Sequence, residues 1–127
     1  MIDAIMLAGQ VTDKMYEKEP GLLDKFGEQG KKKCREDNHH HFKHLRSTYE
    51  LDNSKFFTDY AVWLNGILVR HGMETRHLIE NFDLISEVLQ SPQYSGDKEA
   101  LAYLGYLSGA CEILRSKHNE SKEVPTR

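Results

Sequence analysis

Helix-breaking residues divide this chain into segments, and in each segment the apolar residues recur at helical spacing. The breaks fall at Pro20-Gly21, Asp52-Asn53-Ser54, His71-Gly72 and the Pro92 to Gly96 stretch. Proline cannot continue a helical hydrogen-bond ladder, glycine ends helices readily, and Asp, Asn and Ser cap new ones. Between the breaks the repeat is near 3.6 residues, and no stretch alternates apolar and polar residues as a half-buried strand does. The pattern specifies an all-α chain.

Ile2, Ile5, Met6, Ala8, Gly9, Thr12, Met15 and Tyr16 form the first stripe. Leu22, Leu23 and Phe26 make a short apolar turn closed by Gly27 and Gly30. A helix is expected from about residue 30 to Glu50, with Cys34, Asn38, His41, Phe42, Leu45 and Tyr49 on one face. Phe57, Tyr60, Ala61, Leu64 and Leu68 follow, broadened by Trp63 and Ile67. Then come Leu78, Phe82, Ile85 and Leu89. Asp97 caps a last helix with Leu101, Leu104, Leu107, Cys111 and Leu114 inward. Ala102, Gly105 and Gly109 are small enough there for another helix to approach closely. The chain reads as one domain, residues 1–118, followed by a polar tail, 119–127.

Composition narrows the function classes. Net charge is −3 with acids and bases interspersed, which argues against nucleic-acid binding. No apolar run is long enough to span a membrane, and Asp3, Asp13, Lys14 and Glu17 interrupt any signal-like N-terminus. Cys34 and Cys111, the two cysteines, are expected to be reduced thiols of a cytoplasmic protein. The mean hydropathy of −0.65 implies a thin core. A thin core points to a homo-oligomer, a dimer being the simplest form.

Chemistry concentrates between residues 31 and 49. Three lysines (Lys31, Lys32, Lys33) precede Cys34, Asp37 lies one turn further on, and His39, His40, His41 and His44 follow. This segment admits three readings. In the first it is a tetrapyrrole site, with Cys34 near a helix start carrying a lowered pKa. Asp37 then accepts hydrogen bonds from pyrrole N–H groups, and the basic residues pair with propionates. In the second, His40 and His44 share a metal ion with Asp37, more distant histidines (His71, His77, His118) completing the shell. In the third, Cys34 and His41 are core residues and the remaining histidines are solvated. No nucleophile–base–orienter trio and no phosphate-binding glycine loop is recognisable, so the chain is read as non-enzymatic.

The order of certain residues adds a resemblance. Pro20, Phe26-Gly27, Gly30, Lys33-Cys34, Asp37, His41, Leu45, Phe57, Tyr60 and Trp63 form a series. It resembles that of the globin-like phycobiliproteins, and more closely their haem-free bacterial relatives associated with bilin biosynthesis or joined to cobalamin-binding modules. The resemblance implies a globin-like helical bundle, phycobiliprotein-related and shortened at the N-terminus. It implies a bilin (linear tetrapyrrole) as ligand, with haem the lesser expectation. Cys34 is then the possible attachment thiol and Asp37 the pyrrole anchor. Lys33, His41, Tyr60 and Trp63 surround the ligand. Glu36 stands where the family carries arginine, so covalent and non-covalent attachment both stay open. A ligand-free dimerisation or signalling module is the alternative.

Overall fold

In a computed structural model the backbone is described for residues 2–123 and the side chains for residues 2–117. Among these, five α-helices and one 3-10 turn follow one another: α1 (Ala4–Lys18), α2 (Gly21–Leu51), α3 (Lys55–Arg70), α4 (Thr75–Leu89), the turn Pro92–Tyr94, and α5 (Lys98–Glu123). No described residue is in a strand, and no helix among them is long and apolar enough to cross a membrane. The final residues of the expected tail, 124–127, lie outside the described residues, whereas α5 itself runs on through Glu123.

The breaks fall where the sequence places them. Asp3 caps α1 by accepting from Met6 N at 3.0 Å. Asp97 caps α5 by accepting from Ala100 N at 2.9 Å. Asn53, rather than Ser54, holds the start of α3, its Oδ1 accepting from Lys55 N at 3.1 Å. Gly27 interrupts α2 with φ 69° and ψ −171°, a conformation essentially confined to glycine. The short arm before it, carrying Leu22 and Phe26, is thereby separated from the long arm that carries Cys34.

α1 packs chiefly on α2 and α4, while α5 lies against α3 and α4. Leu45, Phe57, Phe82, Ile85, Leu107 and Leu114 are fully buried where these helices meet. Each such side chain contributes about 1.5–3 kcal/mol through removal of apolar surface from water. α4 buries Leu78, Phe82, Ile85 and Leu89 as its periodicity requires.

Two stripes are rotated from expectation. On α1 the core face is Leu7, Ala8, Val11, Thr12 and Met15, while Ile5 and Met6 are exposed. On α5 it is Ala100, Tyr103, Leu107, Ala110, Cys111 and Leu114, and Leu101 faces solvent. Both helices carry apolar residues on more than one side, so periodicity admits two faces and contact with the neighbouring helices selects one. The small-residue face of α5 is partly used within the chain, since a Cβ on Gly109 would meet Thr58 Cγ2 of α3 at 3.8 Å.

Candidate functional site

The long arm of α2 turns Cys34, Asp37 and His41 toward α3 and α4, and all three line one cavity of about 380 Å³. Its walls come from every helix except α5. Met15 and Tyr16 belong to α1, Leu64, Ile67 and Leu68 to α3, and His77, Leu78 and Asn81 to α4. Leu22 and Phe26, on the far side of the Gly27 break, and Met73, between α3 and α4, form the rest of the apolar wall. The break is what brings them there: a continuous helix would carry this arm straight on from Gly30. A Cβ on Gly30 would collide with Phe26 Cβ, so a residue without a side chain is needed at that position. Lys33 and His71, both exposed, lie at the rim.

Lys33 Nζ pairs with Asp37 Oδ1 at 3.1 Å across one turn of α2. Asp37 therefore stands between the cavity and an exposed cation, its side chain 21% exposed. His41 is 2% exposed, and its Nδ1 shares a 2.7 Å hydrogen bond with Tyr60 Oη. Burial, with smaller contributions from His44 and His40, pushes its pKa down to about 3, so the ring is neutral. Burial likewise raises the Tyr60 pKa, so that the hydroxyl keeps its proton. Tyr60 does not itself line the cavity but holds the imidazole that does.

Cys34 departs from the sequence expectation. It lies in the second turn of the long arm of α2 rather than at its start, and burial pushes its thiol up to about 11. The macrodipole acts mainly over the first turn after the Gly27 break, which ends before Cys34, and the adjacent Asp37 also disfavours a thiolate. Cys34 Sγ receives a 3.7 Å hydrogen bond from Asn38 Nδ2. That donor is an amide, whereas an activated cysteine nucleophile needs an imidazolium or another cation beside it. Trp63 also departs from the expected ligand shell: it is 63% exposed and does not line the cavity. Its position on α3 lies one turn from Ile67 but outside the buried stripe of Phe57, Ala61 and Leu64.

The His40 and His44 pair is occupied otherwise. His44 Nδ1 bonds to the His40 carbonyl at 3.0 Å, and the His44 ring stacks on Tyr60 with centroids 3.7 Å apart. Among the described residues no three His, Cys, Asp or Glu side chains come together as metal ligands.

The chain matches no protein-family model, no curated protein and no solved structure.

Two parts of it are missing from the sequence-based candidates. One is a buried polar network beneath Cys34. Asn38 Nδ2 donates to Thr12 Oγ1 and to Asn81 Oδ1, both at 3.1 Å, and Asn81 Nδ2 donates back to Asn38 Oδ1 at 2.6 Å. These bonds tie α1, α2 and α4 together behind the cavity. The other is His77, which sequence reading treats only as a distant metal ligand. Its signal was present: Glu74 and His77 stand three apart at a helix start, and Asn81 lies one turn beyond on the same face as Leu78.

Proposed function

We propose that this chain is a non-enzymatic, globin-like domain that binds a linear tetrapyrrole in the cavity beside Cys34, Asp37 and His41. The observation that carries this reading is the convergence of Lys33, Cys34, Asp37 and His41 on one largely apolar cavity. Leu22, Phe26, Leu64 and Leu68 suit the faces of a flat conjugated body. Asp37 suits pyrrole N–H groups, and Lys33, already at the rim, suits a propionate. A volume of about 380 Å³ is at the lower end for ligand sites. The pigment would therefore lie partly outside the mouth, with its charged groups in water. A thiol held protonated supports non-covalent rather than covalent binding at neutral pH.

The test is a titration of the purified chain with biliverdin, followed by visible absorption. The reading requires a shifted and sharpened long-wavelength band that saturates at one pigment per chain. It also requires weaker binding by Asp37→Ala and retained binding by Cys34→Ala. A spectrum identical to that of the free pigment at micromolar excess rejects it.

A second reading, a ligand-free dimerisation module, is favoured by one observation. Phe56 and Trp63, on α3, are exposed beside the His44–Tyr60 stack. Sedimentation of the wild type and Trp63→Glu distinguishes the two, since a monomer at micromolar concentration removes this version.

A further inference from the structure

The polar lining from α2 pairs an acceptor with a rim cation, Asp37 with Lys33, whereas α4 brings neutral groups. On α2, Asp37 offers a carboxylate, which only accepts. On α4 the groups are donors. The backbone N–H of Glu74 donates to His77 Nδ1 at 3.0 Å, closing one half of a capping box. A nitrogen that accepts from a backbone N–H carries no proton, so the proton of the His77 ring is on Nε2. His77 is 6% exposed and lines the cavity, and Nε2 has no hydrogen-bond partner among the described residues. Asn81 stands one turn further along the same face, also 6% exposed. Its Oδ1 and one Nδ2 hydrogen are taken by Asn38, and the second Nδ2 hydrogen has no acceptor among the described residues. Neither N–H is among the donors sealed from solvent, so each is hydrated until a ligand that accepts from it displaces the water.

We propose that His77, seconded by Asn81, is the carbonyl-recognising donor of this cavity, and that it selects open-chain over cyclic tetrapyrroles. The inference rests on the tetrapyrrole reading above and gives that ligand a direction. An open-chain tetrapyrrole carries lactam carbonyls on its terminal rings, beside ring N–H groups. Its N–H edge matches Asp37 on α2, and a lactam oxygen matches His77 Nε2–H on α4. A cyclic tetrapyrrole has propionates and an apolar ring but no ring carbonyl, so it leaves the α4 donors unpaired. A donor left unpaired is how a polar site rejects the analogue that lacks its partner.

The experiment titrates the full chain with biliverdin and, separately, with protoporphyrin IX at pH 8. It compares the wild type, His77→Glu and His77→Gln, with a melting curve for each. Glutamate and glutamine at this position both reach back to the N-cap N–H. Only glutamine then keeps an N–H for the ligand. The wild type is expected to bind biliverdin about tenfold more tightly than the porphyrin. His77→Glu is expected to lose about that factor for biliverdin alone, and His77→Gln to stay within about threefold of the wild type. Equal biliverdin affinity in all three proteins overturns the assignment while leaving the tetrapyrrole reading intact. So does a loss in His77→Glu that is equal for both pigments and accompanied by a lower melting temperature. Failure of the wild type to bind either pigment overturns both readings together.

Discussion

The Asn38–Asn81 pair offers the sharpest test of how the site is held. Asn38 is fully buried, and its amide exchanges two hydrogen bonds with Asn81 while also donating to Thr12 Oγ1 and the Cys34 carbonyl. In Asn81→Leu, Asn38 keeps its donors' other partners, but its Oδ1 is stranded where water cannot reach. An orphaned buried acceptor costs about 1–3 kcal/mol. In Asn38→Leu the stranded group is Asn81, which borders the cavity and can bond to water there. That cost should be nearer 1 kcal/mol. The double variant strands neither amide and replaces the pair with two leucines of similar size. Its total cost should fall short of the sum of the singles by about 1–2 kcal/mol. Urea unfolding followed by far-UV circular dichroism measures all three, and a loss of 2 kcal/mol moves the midpoint by about 1 M. Additivity within about 0.5 kcal/mol would show that the two amides do not interact as described. A larger cost for Asn38→Leu than for Asn81→Leu would refute the argument from water access.

Three further outcomes follow from the geometry. Gly27→Ala should destabilise the fold by about 1–3 kcal/mol, read as a lower melting temperature, because a Cβ is strained at φ 69°. A neutral change there would mean that α2 can run straight. With its pKa near 11, against an ordinary 9, the Cys34 thiol should alkylate with iodoacetamide at pH 7.5 about tenfold more slowly than an unperturbed cysteine, the loss of thiolate being partly offset by its greater nucleophilicity. Mass spectrometry of the labelled peptide reads the rate, and labelling as fast as free cysteine contradicts its burial. His41 sets an acid limit on stability. Its folded pKa, near 3, lies below the unfolded value of 6.5, so the unfolded chain binds the proton first as pH falls. The contribution of a neutral His41 is complete above pH 6.5. Below that it declines by up to about 1.4 kcal/mol per pH unit toward pH 3. His41→Gln should flatten the dependence of the urea midpoint between pH 6.5 and 5, and an unchanged slope removes His41 as its source.

Much of the architecture was legible because local rules suffice for it. Pro20, Gly27, Asp97 and Gly72 act through their own backbone preferences or caps, and those operate wherever the residues occur. The clustering of Lys33, Cys34, Asp37 and His41 on one side of α2 follows from helical spacing alone. The state of these groups was not legible. Cys34 reads as activated from the lysines beside it and is inert because of what covers it. Trp63 reads as a pocket wall from its place in an aromatic series, yet Ala61 and Leu64 take the inward positions of that helix.

The sequence by itself determined an all-helical chain, its breakpoints, and the side chains that share a face of α2, because those depend on interactions within a few residues. Only the tertiary structure decided which faces of α1 and α5 turn inward, that the arm before Gly27 helps wall a cavity, and that Asn38 meets Asn81 beneath it. The same packing holds the Cys34 proton in place and sets His77 in the cavity lining with Nδ1 engaged by the Glu74 N–H. Burial and pairing across helices are properties of groups distant in sequence, and no spacing along one helix encodes them.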